Sequence, residues 1–166
     1  CDLLTYGFPC QDISVAGKGQ GIKEGTRSGL LYEVERLLEI GVILGTLPKY
    51  LILENVKALT QKKHRQQFDE WLEKLESLGY TNYYQVLNAK DYGVPQNRER
   101  VFVISILGDH KPFVFPEKQE LNLRLRDLLE DEVEERYYLK DEKTQEFVEK
   151  YKDKVINLQE GIYPCL

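Results

Sequence analysis

Methionine is absent from all 166 residues, tryptophan occurs once, histidine twice and cysteine three times. No methionine and no capping turn stand ahead of the run DLLTY at residues 2 to 6, so the natural protein is expected to extend upstream as a longer chain. Cys1, Cys10 and Cys165 form no C-x-x-C pair. That spacing excludes a disulfide framework and a zinc site and fits a reduced compartment. No stretch approaches the ~18 consecutive apolar residues of a membrane span, and no basic start leads into a short apolar core as in a secretory signal. A cytosolic protein is expected. Of the two histidines, neither His64 nor His110 has a claim to be a catalytic base.

What is present is an ordinary soluble composition, 42% hydrophobic and 31% charged, in a chain long enough for one main folding unit. The net charge of -5 argues against a nucleic-acid partner, because phosphate contacts need Lys and Arg. Its distribution weakens that objection. Residues 117 to 153 hold 13 acidic and 8 basic side chains, and the rest of the chain balances at 15 against 15.

Residues 2 to 6 read as a buried strand ending at Gly7 and Pro9. A glycine-rich loop follows, and then Leu30, Leu31, Val34, Leu37 and Leu38 repeat at helical spacing to about Ile43. Tyr50 to Leu53 reads as a second buried strand, stopped by Glu54 and Asn55. Phe68, Trp71, Leu72, Leu75 and Leu78 share one face of a helix that ends before Gly79. Tyr83 to Ala89 and Arg100 to Leu107 read as strands with no helix between them, which pair antiparallel or flank a crossing. This order predicts an α/β fold, a mixed sheet with a reversed edge strand, followed by a short, mainly helical C-terminal extension. The boundary is placed at residues 111 and 112.

Three positions could carry chemistry. Cys10 follows the carboxyl end of the first strand, where open α/β sheets take ligands. A free thiol with pKa about 8.5 is only about a tenth ionised at pH 7.5, so a nucleophilic Cys10 needs an activating environment; otherwise it is a small buried hydrophobe. Glu54 also emerges at a carboxyl edge, where partial burial would favour the neutral acid as a proton donor, or where it simply caps a helix. Arg98 and Arg100 alternate across Glu99, so an extended chain points both to one face, either to hold a phosphate or base edge or to form surface salt bridges. AGKGQG, residues 16 to 21, lacks the strand, helix and Lys-Ser/Thr ending of a phosphate loop and reads as a mobile loop with glycine hinges.

The three positions, in their order, resemble the DNA cytosine-5 methyltransferases, especially the bacterial modification enzymes. GFPCQDIS (residues 7 to 14) resembles that family's Pro-Cys-Gln motif, Glu54-Asn55-Val56 its Glu-Asn-Val motif, and Gln96-Asn97-Arg98-Glu99-Arg100 its Gln-x-Arg-x-Arg motif. TRSGLL (26 to 31) and LNAKDYGVPQ (87 to 96) are similar to the segments around them. The resemblance covers residues 2 to about 107, and PFVFPEKQELNLRLRDLLED is similar to the stretch leading to a target-recognition domain.

The resemblance implies a partial Rossmann-like S-adenosylmethionine-dependent methyltransferase fold, with residues 1-111 the central part of a catalytic domain and 112-166 a connector and the start of the recognition region. It implies methyl transfer to C5 of cytosine in double-stranded DNA, in restriction-modification, on a base flipped out of the duplex. Cys10 would be the thiolate that adds to C6. Glu54 would protonate or hydrogen-bond N3, Arg100 would hold O2, and Arg98 would brace the site. Phe8, Pro9, Gln11, Asn55, Val56 and Gln96 would form and support the base pocket; Ser14 and Arg27 would contact phosphate; Pro9 and Leu30 would line the cofactor. No metal is implied, and the full-length protein is expected to be a bacterial cytoplasmic monomer. The family's glycine-rich cofactor motif would lie before Cys1, so the 166 residues alone are expected to bind cofactor weakly and not to methylate DNA. A transfer-RNA cytosine methyltransferase and a non-catalytic DNA-binding homologue are the competing readings.

Overall fold

A computed structural model describes residues 1–8, 30–137, 141–151 and 163–164. Pro9, Cys10, Gln11, Ser14, Arg27 and the AGKGQG loop lie outside the described residues. The chain divides into two compact units, Cys1–Leu87 with Glu99–Glu117, and Asn88–Arg98 with Lys118–Leu166.

In the first unit, β1 (Leu3–Tyr6), β2 (Tyr50–Val56), β5 (Glu99–Leu107) and β3 (Tyr80–Asn88) form one sheet in the order β1-β2-β5-β3. β1 runs parallel to β2, with Tyr6 opposite Leu53, whereas β5 runs antiparallel to β2, from Tyr50 opposite Ile106 to Val56 opposite Arg100. On the far side of β5, the Gly108 N–H donates to the Gly79 carbonyl at 3.1 Å and Ser105 Oγ to Asn82 Oδ1 at 2.6 Å. Those contacts run in opposite senses along the chain, as in an antiparallel pair. The sheet is mixed, and its reversed strand β5 lies one place in from the edge strand β3.

β2 is longer than the hydrophobic run suggests. Glu54 and Asn55 do not stop it, because their backbones face Phe102 and Val101 on β5 and continue the ladder to Val56. The polar residues that look like a strand stop are the last rungs of the strand. β3 likewise begins at Tyr80, directly after Gly79, whose φ of +92° turns the chain out of the preceding helix.

Helices α1 (Leu30–Leu44) and α2 (Arg65–Ser77) supply the apolar cover. Leu31 and Leu38 from α1, and Phe68, Trp71, Leu72 and Leu75 from α2, form one core with Leu51 and Leu53 of β2 and Val101 and Val103 of β5. Several polar groups that border that core are paired. Trp71 Nε1 donates to Tyr6 Oη at 3.0 Å, and burial pushes the Tyr6 hydroxyl well above its ordinary pKa. Asn82 Nδ2 donates to the Leu72 carbonyl at 3.0 Å. Lys74 of α2 ties the two helices together, reaching Glu35 at 2.9 Å and Glu39 at 2.7 Å.

In the second unit, β4 (Gln96–Asn97) pairs in parallel with β6 (Tyr163–Pro164). A short 3-10 turn, Ala89–Tyr92, is opened by Asn88, whose Oδ1 accepts from the Lys90 N–H at 3.3 Å, and closed by Gly93 at φ +84°. Further on come short turns at Leu125–Leu128 and Glu135–Tyr137 and the helix α3 (Glu142–Tyr151). Asp141 accepts at 2.9 Å from the Thr144 N–H at the start of α3, and Thr144 holds its carboxyl below the usual carboxylate range.

Candidate functional site

The alternation of β2 sorts its side chains by chemistry. Leu51, Leu53 and Asn55 point inward and are buried, while Ile52, Glu54 and Val56 face the other way and are half-buried. On β5, Phe102 stands opposite Glu54, and Arg100 is two residues from it on the same face. Glu54 and Arg100 are therefore a diagonal cross-strand pair, and Arg100 Nε reaches Glu54 Oε1 at 3.1 Å. The guanidinium is the more enclosed partner at 18% exposure against 46% for the carboxylate, and its Nη1 also donates to the Glu99 carbonyl at 2.8 Å. Glu99, on the opposite side of the strand, pairs with Lys57 at 2.9 Å and 3.0 Å, so the two charge pairs at this end of the sheet are segregated by face.

Asn55 is the group that motif reading left least defined. It is 3% exposed, an amide inside an apolar core, and both ends of it are used. Its Nδ2 donates to the Phe8 carbonyl at 3.2 Å and its Oδ1 accepts from the Val56 N–H at 2.8 Å. A buried amide needs such partners to offset its desolvation. The bond fixes the backbone at Phe8, itself buried, two residues before Cys10. Gly7 completes the junction, because a Cβ at that position would stand 3.1 Å from the Glu54 carbonyl. Asn55→Ala removes the side-chain partner of both the Phe8 carbonyl and the Val56 N–H. Chemical denaturation should show a loss of about 1–3 kcal/mol, and catalysis should fall as well if the bond positions the segment carrying Cys10.

The structure thus brings Phe8, Glu54, Asn55, Val56 and Arg100 together at one end of the sheet. Gln96 and Arg98 belong to the second unit. Arg98 stands in the break between β4 and β5, so no continuous strand carries it and Arg100 on one face as the alternation alone suggests. Its N–H donates to Asn88 Oδ1 at 3.1 Å and its carbonyl accepts from the Ala89 N–H at 3.0 Å. Of Leu30, the structure describes only its place at the start of α1. Among the described residues no cluster of three or more His, Cys, Asp or Glu is placed to hold a metal, and no helix is long and apolar enough to cross a membrane.

Chemically, a carboxyl and a guanidinium side by side offer an acceptor, or a proton donor, next to a group that can only donate. That pattern complements a planar ring edge bearing an amine beside a ring nitrogen and a carbonyl.

Comparison with known proteins gives the same direction. The family model described as C-5 cytosine-specific DNA methylase matches residues 1–163. Among curated proteins, the chain is 55% identical over 141 residues to the Type II methyltransferase M2.ScrFI of Lactococcus lactis subsp. cremoris, covering 84% of this chain and 38% of that protein. It is 53% identical over 121 residues to the Orphan methyltransferase M.SssI of Spiroplasma monobiae, covering 67% of this chain and 31% of that protein. The chain therefore spans well under half the length of these relatives. Among solved structures, the S. pombe Dnmt2 methyltransferase superposes with a TM-score of 0.62 at 21% identity, covering 92% of this chain and 45% of that one. The Entamoeba histolytica methyltransferase EhMeth superposes with a TM-score of 0.57 at 20% identity, covering 84% and 42%. These two likenesses establish the fold, a partial Rossmann-like methyltransferase sheet.

Proposed function

Because this chain belongs to the C-5 cytosine-specific DNA methylase family, we propose that it is the central part of an enzyme that methylates C5 of cytosine in double-stranded DNA. The observation that carries the reading is the Glu54–Arg100 pair at 3.1 Å, on the strand whose next residue, Asn55, holds the Phe8 carbonyl just ahead of Cys10. The resemblance supplies the rest of the residue assignment.

S-adenosylmethionine, when bound, supplies an electrophilic methyl group. β1 and β2 approach closely at their carboxyl ends, where a Cβ on Gly7 would crowd the Glu54 carbonyl at 3.1 Å, and this is the edge at which parallel strands take ligands. Pro9 and Leu30 would line the cofactor there. Every other part falls to the chain's own side chains. The Cys10 thiolate adds to C6 of a flipped cytosine, and the electron pair moves toward C5 and N3. Glu54 gives a proton or hydrogen bond to N3 while accepting from the exocyclic amine, and Arg100 donates to O2. After C5 is methylated, its proton passes to water, the C5–C6 double bond re-forms as the C6–S bond breaks to release the Cys10 thiolate, and N3 returns its proton to Glu54. Arg98, Gln96, Gln11 and Val56 keep the supporting roles that their motifs imply, and Ser14 and Arg27 the phosphate contacts.

The 166 residues by themselves are proposed to be inactive. The test is transfer of a labelled methyl group by the full-length protein onto duplex DNA, with transfer RNA as the competing acceptor. Incorporation into duplex DNA at C5 supports the reading, and incorporation into transfer RNA alone overturns it.

A further inference from the structure

We propose that the turn entering α2, which carries Lys62 and Lys63, is a contact for the DNA phosphate backbone beside the target base. The inference rests on the DNA-methylase reading and adds a surface to it. Residues 57 to 65 hold four cationic side chains, Lys57, Lys62, Lys63 and Arg65. This segment leaves the strand that bears Glu54 through the 3-10 turn Lys57–Thr60. It then folds back tightly, with the Gln61 N–H on the Ala58 carbonyl at 3.1 Å and the His64 N–H on the Gln61 carbonyl at 2.9 Å. Lys57 is held at the sheet end that carries Glu54 and Arg100 by its pair with Glu99, and Lys62 and Lys63 follow it within six residues.

Two of them are already committed within the protein. Lys57 is held by Glu99, and Arg65 by Asp69 at 2.7 Å with its guanidinium over the Tyr84 ring. Lys62 and Lys63 are exposed, and neither has a hydrogen-bond or ion-pair partner among the described residues. The acids of α2 begin later, and the first two are engaged: Asp69 by Arg65, and Glu70 by Gln66 at 2.9 Å.

The charge at this helix start is the reverse of what helices favour. Acidic residues stabilise a helix N-terminus and cations oppose its dipole, yet the first turn of α2 contains no acid and follows Lys62 and Lys63. His64 occupies the N-cap without a side-chain cap bond. It is 3% exposed, and its Nε2 has no hydrogen-bond partner. Two ammonium groups beside a helix start that no acid opposes concentrate positive charge that an anion relieves. Duplex DNA brings such anions to a protein whose net charge elsewhere is acidic, and phosphate contacts of this kind set position rather than sequence choice.

The test is equilibrium binding of the full-length protein to a short labelled duplex, by fluorescence anisotropy, from about 0.05 to 0.2 M salt. For Lys62→Ala with Lys63→Ala, the slope of log K against log salt should shrink by about 2, with binding at least about tenfold weaker at 0.1 M. Lys62→Arg with Lys63→Arg should retain both the slope and the affinity. An unchanged slope in the alanine variant overturns the inference, as does an arginine variant no better than the alanine one. So does a slope change seen with transfer RNA and not with duplex DNA. If the wild-type protein methylates duplex DNA while the alanine slope is unchanged, only this inference falls. If the wild type neither binds nor methylates duplex DNA, the parent reading falls with it.

Discussion

Cys10→Ser in the full-length protein is expected to remove methyl transfer to duplex DNA, with kcat falling by on the order of 10^4-fold or more. A thiol near neutrality holds a minor but usable fraction of thiolate, whereas a serine hydroxyl is essentially un-ionised and has no base assigned beside it. Without addition to C6, C5 of cytosine is not nucleophilic enough to take a methyl group, so the remaining interactions have little chemistry to assist. Single-turnover assays with labelled methyl donor measure this directly. An inert, merely packed Cys10 would instead leave the rate within a few-fold of the parent.

Glu54→Gln carries the second large effect, a fall of about 10^2- to 10^4-fold in kcat/KM, the range expected when a general acid is lost. Glutamine keeps the length and one acceptor oxygen but transfers no proton to N3. Stability gives the contrast that separates catalysis from structure. The Glu54–Arg100 pair is half-exposed on the carboxylate side, and such pairs contribute about 0–1 kcal/mol, so the unfolding midpoint should barely move while the rate collapses. Arg100→Lys should keep the charge yet lose the planar fork that meets a carbonyl and the carboxylate together, and it should lower the rate with little effect on folding. Parallel loss of stability and rate in Glu54→Gln would instead point to a structural pair.

The two helices, the strand order along the chain and the positions of Glu54 and Arg100 could all be read from hydrophobic spacing and short motifs, because apolar periodicity reports which face is buried. The end of β2 could not. Glu54 and Asn55 are polar, and only the partner strand β5 shows that their backbones continue the ladder. Asn55 illustrates the same limit at the level of a side chain. Its partner, the Phe8 carbonyl, is 47 residues away, and backbone acceptors leave no trace in residue type. Leu37 shares the helical spacing of Leu31 and Leu38 but is 52% exposed, since a stripe of apolar residues on a helix can be wider than the surface it covers. Lys57 and Glu99, 42 residues apart, pair because β2 and β5 end together, a consequence of register rather than of either motif.

The proposed chemistry is tested most directly with a duplex in which the target cytosine carries fluorine at C5, incubated with the full-length protein and S-adenosylmethionine. Fluorine cannot leave as the C5 proton does, so the adduct should persist through denaturing electrophoresis, with peptide mass mapping placing the bond at Cys10 and none forming with Cys10→Ser. Methylation of the ordinary duplex without any trapped complex on the fluorinated one would contradict a covalent role for Cys10.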